Sequence, residues 1–414
     1  MSVTPVYSSY KAVCEELDRR RRIALGFERI AALLELLGNP HRSLRIVQIV
    51  GTNGKGTTAV ALAGALEAAG GPSGAYLSPH VLSYTERIML RGRFVSEERF
   101  ATAMSKAIEI ADVNDIPATQ FEILTAGALA MFRDAELEWA VLEAGLGARH
   151  DATSVAEAET VVLTNISLDH TEYLGGTVEE IAEEKLASLK SGNVLVLGTD
   201  DPRIVGIARE VSARVGASVI VEHEKTEEPH YRVEDVPLYL ARNERLGMRA
   251  AEVLLGRSLR QNERAAARVG LLPARFEVHE AYGVPVIVDG GHNPEGLKAA
   301  LEAVRERYGD RPLGVVFGVL KEKDVVSMLN ALEREAYALV LTRPANAGER
   351  ALDPGRIREV YDPRDVGGRR ARVVSEAADA LRAVVEEMEN AGGVVLVTGS
   401  LYTCAEVLRW LRGQ

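Results

Sequence analysis

Residues 51–57 read Gly-Thr-Asn-Gly-Lys-Gly-Thr, a glycine-rich turn with a lysine and a closing hydroxyl. It lies between the apolar run Arg45-Ile-Val-Gln-Ile-Val50 and the alanine-rich, helix-like stretch Thr58–Ala69. Strand, glycine loop, lysine, hydroxyl and helix in that order can hold a nucleotide triphosphate. Backbone N–H groups and the helix N-terminus would face the phosphates, Lys55 would supply a point charge, and Thr57 would reach a magnesium ion. Asn53, Gly54, Lys55, Gly56, Thr57 and Thr58 are therefore the candidate ATP contacts. The loop departs from the common G-x-x-x-x-G-K-[ST] pattern. Ile49 stands five before Gly54, and Gly56 intervenes between Lys55 and Thr57. A glycine-rich hairpin with a solvated lysine is the alternative, but the flanking strand and helix are the context the phosphate motif requires.

Other polar clusters lie where apolar runs end. Glu143-Ala-Gly-Leu-Gly-Ala-Arg-His-Asp151-Ala-Thr-Ser follows Val141 and Leu142. A carboxylate in that place can hold Mg²⁺ or cap a helix; Glu143 suits the metal, and Asp151 suits either. In Thr164-Asn-Ile-Ser-Leu-Asp-His170, a lone histidine is more often structural than a ligand, since magnesium prefers oxygen donors. Thr177-Val-Glu-Glu180 is a capping box, and the helix it opens carries Lys185, by itself an ordinary surface position. Leu77-Ser-Pro-His80 and Glu86-Arg-Ile88 make a further polar loop. Asp289-Gly-Gly-His-Asn-Pro294 suits phosphate or ribose recognition, or simply helix capping by Asn293.

Short β-branched runs alternating with helices must position these clusters. Strand candidates are Ala140–Leu142, Thr160–Asn165, Val194–Leu197, Pro285–Asp289, Gly314–Phe317, Ala338–Thr342 and Val394–Thr398. Helix candidates include Glu179–Leu189, Arg249–Leu255, Glu295–Arg307 and Ala377–Asn390. The alternation predicts an α/β fold with mostly parallel sheets, helices on both faces, and ligands at the carboxyl ends of strands. A break within Arg257–Pro273 divides the chain into an ATP-binding domain, 1–271, and a smaller Rossmann-like α/β domain, 272–414.

Composition narrows the function classes. A net charge of −11 without a Lys/Arg cluster argues against a nucleic-acid partner; Arg19–Arg22 reads as the solvated face of an N-terminal helix. Cys14 and Cys404 form no CxxC and fit two free thiols in a reducing compartment. No apolar run is long enough to span a bilayer, and the N-terminus is polar. A cytoplasmic monomer with no membrane partner is expected.

Together the segments resemble folylpolyglutamate synthase and dihydrofolate synthase, a branch of the Mur ligases, over nearly the whole chain. The resemblance rests on Glu28–Gly38, Gly51–Thr57, Ser78-Pro-His80, Thr119-Gln-Phe-Glu122 and Glu143–Thr153. It continues in Thr164–His170, Ile181-Ala-Glu-Glu-Lys185, Asp289–Pro294, Phe317–Asp324, Arg350–Pro354 and Thr398-Gly-Ser-Leu-Tyr402. It implies an ATP-dependent ligase that joins L-glutamate to a folate or dihydropteroate acceptor through an acyl phosphate. It implies two Mg²⁺ ions held with the phosphates by Thr57, Ser78, Glu143, His170 and a Lys185 carbamylated by CO₂. Arg275, Asp289 and His292 match residues that close over the nucleotide and the transferring phosphoryl. Phe121, with Arg87 and Asp151, is expected at the acceptor, and Ser400 and Tyr402 near the incoming glutamate. Departures are Ala148 and Ala274 where the family has glycine, Ser154 for asparagine, Glu322 for aspartate, and Lys185-Leu-Ala-Ser188 for Lys-Ala-Gly-Ile. The adenine contact is the least marked, with Asn243 its best candidate. A different carboxylate acceptor, or a nucleotide-binding regulator that no longer ligates, are the alternatives.

Overall fold

A computed structural model describes residues 9–222, 236–267, 272–360 and 371–413. It divides into two compact units, Met1–Tyr231 with Ala241–Leu271, and Arg232–Leu240 with Leu272–Gln414. The contact pattern thus assigns a short segment before residue 241 to the second unit.

In the first unit the strands are β1 (Arg45–Val50), β2 (Ser73–Tyr76), β3 (Ile88–Leu90), β4 (Arg93–Phe94), β5 (Trp139–Glu143), β6 (Thr160–Leu163), β7 (Val194–Leu197) and β8 (Ser218–Val221). Among the described residues they form one sheet in the order β4-β3-β2-β5-β1-β6-β7-β8. The run from β2 to β8 is parallel, and β3 and β4 add an antiparallel edge. β1 and β5 are buried almost end to end, as strands covered on both faces must be. Two neighbouring core clusters, one with Leu33, Phe100, Leu129 and Phe132 around Ile46 and Leu142, the other with Ala182 and Leu186 around Val161, Leu163 and Leu195, draw on paired strand positions and so cover the same face.

The helix after β1, Lys55–Ala68, is buried on nearly every side. Its small side chains permit that: a Cβ on Gly64 would lie 2.3 Å from the Ala266 carbonyl oxygen, and one on Gly247 would lie 2.7 Å from that of Thr58. This helix begins at Lys55 rather than at Thr58, so Lys55, Gly56 and Thr57 form its first turn instead of a preceding loop. Within Arg19–Arg22, Arg19, Arg21 and Arg22 are exposed as expected and only Arg20 departs. The first described helix, Tyr10–Arg19, ends where that run begins. Arg20 is not a solvated face: it pairs with Glu16 at 2.7 Å and Asp112 at 2.6 Å.

The second unit carries β9 (Glu277–Ala281), β10 (Val284–Val288), β11 (Leu313–Phe317), β12 (Ala338–Leu341), β13 (Arg372–Val373) and β14 (Val394–Thr398). Their order is β13-β12-β11-β14-β10-β9, parallel except for β9. Ile287, Val315, Phe317, Leu332 and Leu396 belong to its core. Both cysteines are free thiols. Among the described residues no helix is long and apolar enough to cross a membrane.

Candidate active site

Register brings the first unit's clusters together. Ile49 of β1 lies opposite Glu143 of β5, and Val50 opposite Leu163 of β6, so Gly51, Glu143 and Thr164 meet at one carboxyl edge. β2 lies beside β5, with Tyr76 opposite Leu142, which carries the following Ser78 to the same edge. The loop after β1 is shaped by what surrounds it. Gly51 has φ +141° and a Cβ there would sit 1.9 Å from Thr164 Oγ1; Gly54 has φ +82° and its Cβ would sit 2.3 Å from Asn243 Oδ1. Only glycine accepts both the dihedrals and the space. Asn243 thus packs against the phosphate loop.

The loop is also braced from β6. Thr164 Oγ1 donates to the Asn53 carbonyl at 2.7 Å, and Asn53 N donates to Asn165 Oδ1 at 2.9 Å. Thr52 Oγ1 donates to the Ser167 carbonyl and accepts from Ser167 N. In sequence, Thr164 and Asn165 carry no marked chemistry; their role comes from the register of β6 with β1. Gly54 caps the helix Lys55–Ala68 without a side-chain hydrogen bond. The positive end of that helix therefore faces the loop without a side-chain cap, as an anion site requires. Lys55 Nζ folds back to the Thr52 carbonyl at 3.1 Å.

Glu143 is buried at 5% exposure, and its Oε2 accepts from Ser78 N at 3.0 Å. Lys185 is no surface lysine: it is 5% exposed, and Nζ donates to the Gly51 carbonyl at 2.7 Å. Burial, aided by the charge of Lys55 and opposed by Asp169, Asp151 and Glu184, pulls its amine down to about 7. A large fraction is then the neutral, nucleophilic amine near neutral pH. His170 opens the short helix Thr171–Leu174 in a left-handed conformation, with Nε2 4.0 Å from Asp169 Oδ1. Among the described residues no three His, Cys, Asp or Glu side chains gather into a cage. Magnesium ordinarily takes one or two carboxylates together with substrate phosphates and water. The Glu143 carboxylate and the Ser78 and Thr57 hydroxyls offer that hard-oxygen set.

Beside these groups, the Phe121 ring lies 5.7 Å from that of Tyr76 and so close to the backbone of Gly145 that a Cβ there would be 2.7 Å away. Its neighbours Thr119 and Glu122 form a capping box, and Glu122 also pairs with Arg29 at 3.0 Å. Arg87 is buried and donates from Nε to His80 Nδ1 at 2.8 Å. Asp151 caps the turn Ala152–Ala156, so the helix-cap alternative holds. Its Oδ2 also accepts from Gly145 N and Leu146 N, at 2.9 Å each.

In the second unit, Asp289, Gly399 and Gly318 follow β10, β14 and β11, again at one carboxyl edge. Asp289 is buried; Oδ1 accepts from Gly291 N at 2.9 Å, and Oδ2 from Phe276 N at 2.9 Å and the Tyr239 hydroxyl at 2.5 Å. Tyr239 was not singled out from sequence, because only the fold brings it to Asp289. Those bonds pin the segment carrying Arg275, whose neighbours Ala274 and Phe276 both have positive φ, +54° and +51°. Arg275 Nη1 donates to the Ala274 carbonyl at 3.1 Å, and His292 Nδ1 lies 2.9 Å from the Gly290 carbonyl. Ser400 caps the helix Leu401–Leu411, accepting from Tyr402 N at 3.2 Å. Glu322 is paired with Arg350; burial pushes its carboxyl up, but Arg350 holds it below the usual range.

The chain matches the Mur ligase middle domain over residues 49–240 and the Mur ligase glutamate ligase domain over residues 274–401. It is similar to the dihydrofolate synthase/folylpolyglutamate synthase of Bacillus subtilis, with 30% identity over 94% of this chain and 95% of that one. It superposes on the Mycobacterium tuberculosis folylpolyglutamate synthase complexed with ADP with a TM-score of 0.89, at 29% identity, covering 98% of this chain and 99% of that one. The bifunctional folylpolyglutamate synthase/dihydrofolate synthase of Yersinia pestis, complexed with AMPPNP and Mn ion, gives a TM-score of 0.83 at 28% identity over 100% of both chains.

Proposed function

The chain belongs to the folylpolyglutamate synthase and dihydrofolate synthase family of Mur ligases, and from this premise we propose how it joins L-glutamate to a folate-type acceptor. It is an ATP-dependent ligase that works with a divalent metal. An acceptor carboxylate oxygen attacks the γ-phosphorus of ATP and ADP leaves, giving an acyl phosphate. The glutamate amine then attacks the acyl carbon, phosphate leaves with the carboxylate oxygen, and the amine proton goes to solvent or to a nearby base. An amide remains.

In the first unit, the backbone of Asn53–Thr58 cradles the phosphates and Lys55 offsets the charge that develops on the transferring group. Glu143, Ser78, Thr57 and His170 would hold Mg²⁺, which neutralises and orients the phosphate oxygens. The Lys185 amine would take up CO₂, losing a proton, and the carbamate oxygens would join that set. Phe121, Arg87 and the Asp151 turn would receive the acceptor, and Asn243 would lie beside the nucleotide. In the second unit, Arg275 and His292 would serve the transferring phosphoryl, with Asp289 setting their segment. Ser400 and Tyr402 would border the glutamate site.

The observation that carries this reading is Lys185 Nζ, buried and 2.7 Å from the Gly51 carbonyl of the phosphate loop. Lys55 already supplies the loop's point charge, so a second, buried amine beside it points to another use. Which acceptor is used is tested by phosphate release with ATP, glutamate and either dihydropteroate or tetrahydrofolate. Release with at least one acceptor, dependent on glutamate, is expected; release with neither overturns the reading.

A further inference from the structure

Gln48 lies in the middle of β1, 1% exposed, among side chains that are otherwise apolar. Its Nε2 donates to Thr153 Oγ1 at 2.8 Å and to Ser154 Oγ at 2.7 Å. Both hydroxyls already donate onward, Thr153 Oγ1 to Asp151 Oδ1 at 2.5 Å and Ser154 Oγ to the Ala148 carbonyl at 2.6 Å. They can therefore only accept from Gln48, which fixes which way its amide faces. The consequence is that Gln48 Oε1 is buried with no protein hydrogen-bond partner among the described residues. An apolar side chain of the same length would avoid that desolvation. Both N–H bonds of the amide run from the strand to a single turn, Thr153–Ser154.

What they serve is the turn after Glu143. Asp151, reached through Thr153, accepts from the backbone of Gly145 and Leu146, and Ser154 holds Ala148. The ring of Phe121 lies against Gly145. Resting on the proposed acceptor side of this site, we propose that Gln48 is a positioning residue for the acceptor: a buried relay from β1 fixes the Gly145–Ala148 backbone on which the pterin end of the substrate rests. Ser154, the departure from the family's asparagine, is a member of that relay.

Gln48→Met keeps the length and removes both donors. It is expected to raise KM for the acceptor about tenfold, the worth of one or two lost hydrogen bonds, while KM for ATP changes by less than about twofold. Thr153→Ser, which keeps the hydroxyl, should lose several-fold less than Thr153→Val. Amide hydrogen exchange at Gly145 and Leu146 should be faster in Gln48→Met, and this readout does not require turnover. Unchanged exchange, or equal rises in KM for acceptor and ATP, would overturn the proposal. Faster exchange in a protein that ligates no pterin would leave the relay standing and remove the folate reading instead.

Discussion

At the scale of single residues, Lys185 is the group whose chemistry depends most on its surroundings. Only the neutral amine reacts with CO₂. Because burial lowers its pKa to about 7, the reactive form grows as pH rises through that value. At fixed dissolved CO₂, a carbamate carbon signal in NMR with labelled CO₂ should therefore strengthen across that range and vanish in Lys185→Ala. A signal that persists in the variant would assign the carbamate elsewhere. Phosphate release by Lys185→Ala should fall by at least about a hundredfold, as when a charge-stabilising group is lost. A small carboxylate added in solution should restore part of it. Ala274 offers a second test. It has φ +54°, a left-handed conformation that costs a residue with a Cβ about 1 kcal/mol. Ala274→Gly is expected to stabilise by up to that amount, read as a higher denaturation midpoint; a lower midpoint would contradict the strain.

At the scale of elements, the argument turns on β1, its loop and the helix Lys55–Ala68. A Cβ at Gly54 meets Asn243 Oδ1 at 2.3 Å, so Gly54→Ala must displace either the helix N-cap or Asn243. Affinity for ADP, measured by calorimetry, should drop about tenfold or more, since the phosphate-facing N–H groups move with the cap. Unaltered affinity would place the phosphates elsewhere. This loop was legible in the sequence because its signal is local: glycines, lysine and hydroxyl are consecutive, and a buried strand and helix flank them. The order of the β strands was not. Ser73–Tyr76 is β2 but is not among the strand candidates; in the fold, a Cβ on Gly74 would meet the Phe132 ring at 2.7 Å. Lys185 shows the same limit. Its helix is Glu-rich and reads as exposed, and only the fold brings Lys185 Nζ to the Gly51 carbonyl. The bracing by Thr164, the Tyr239–Asp289 bond and the Gln48 relay likewise join residues distant in sequence. Among the residues that sequence did single out, Asp151 and Ser400 proved to be caps as well as candidate contacts.

At the scale of the molecule, each of the two units places its polar clusters at the carboxyl edge of a mostly parallel sheet. That is where such sheets bind ligands. Nucleotide and magnesium, present at about a hundred times their Kd, should stabilise the native chain by about 2.7 kcal/mol and raise its Tm by a few degrees. No shift would mean that the phosphate loop is not occupied under those conditions. The central claim is that ATP is spent on activating the acceptor's own carboxylate before glutamate attacks. The direct measurement uses an acceptor whose carboxylate oxygens carry a heavy isotope, with ATP, magnesium and glutamate, followed by mass spectrometry of both products. Each amide formed should send one labelled oxygen into inorganic phosphate. Amide formation with unlabelled phosphate, or ATP consumed with no glutamylated product, would contradict the account.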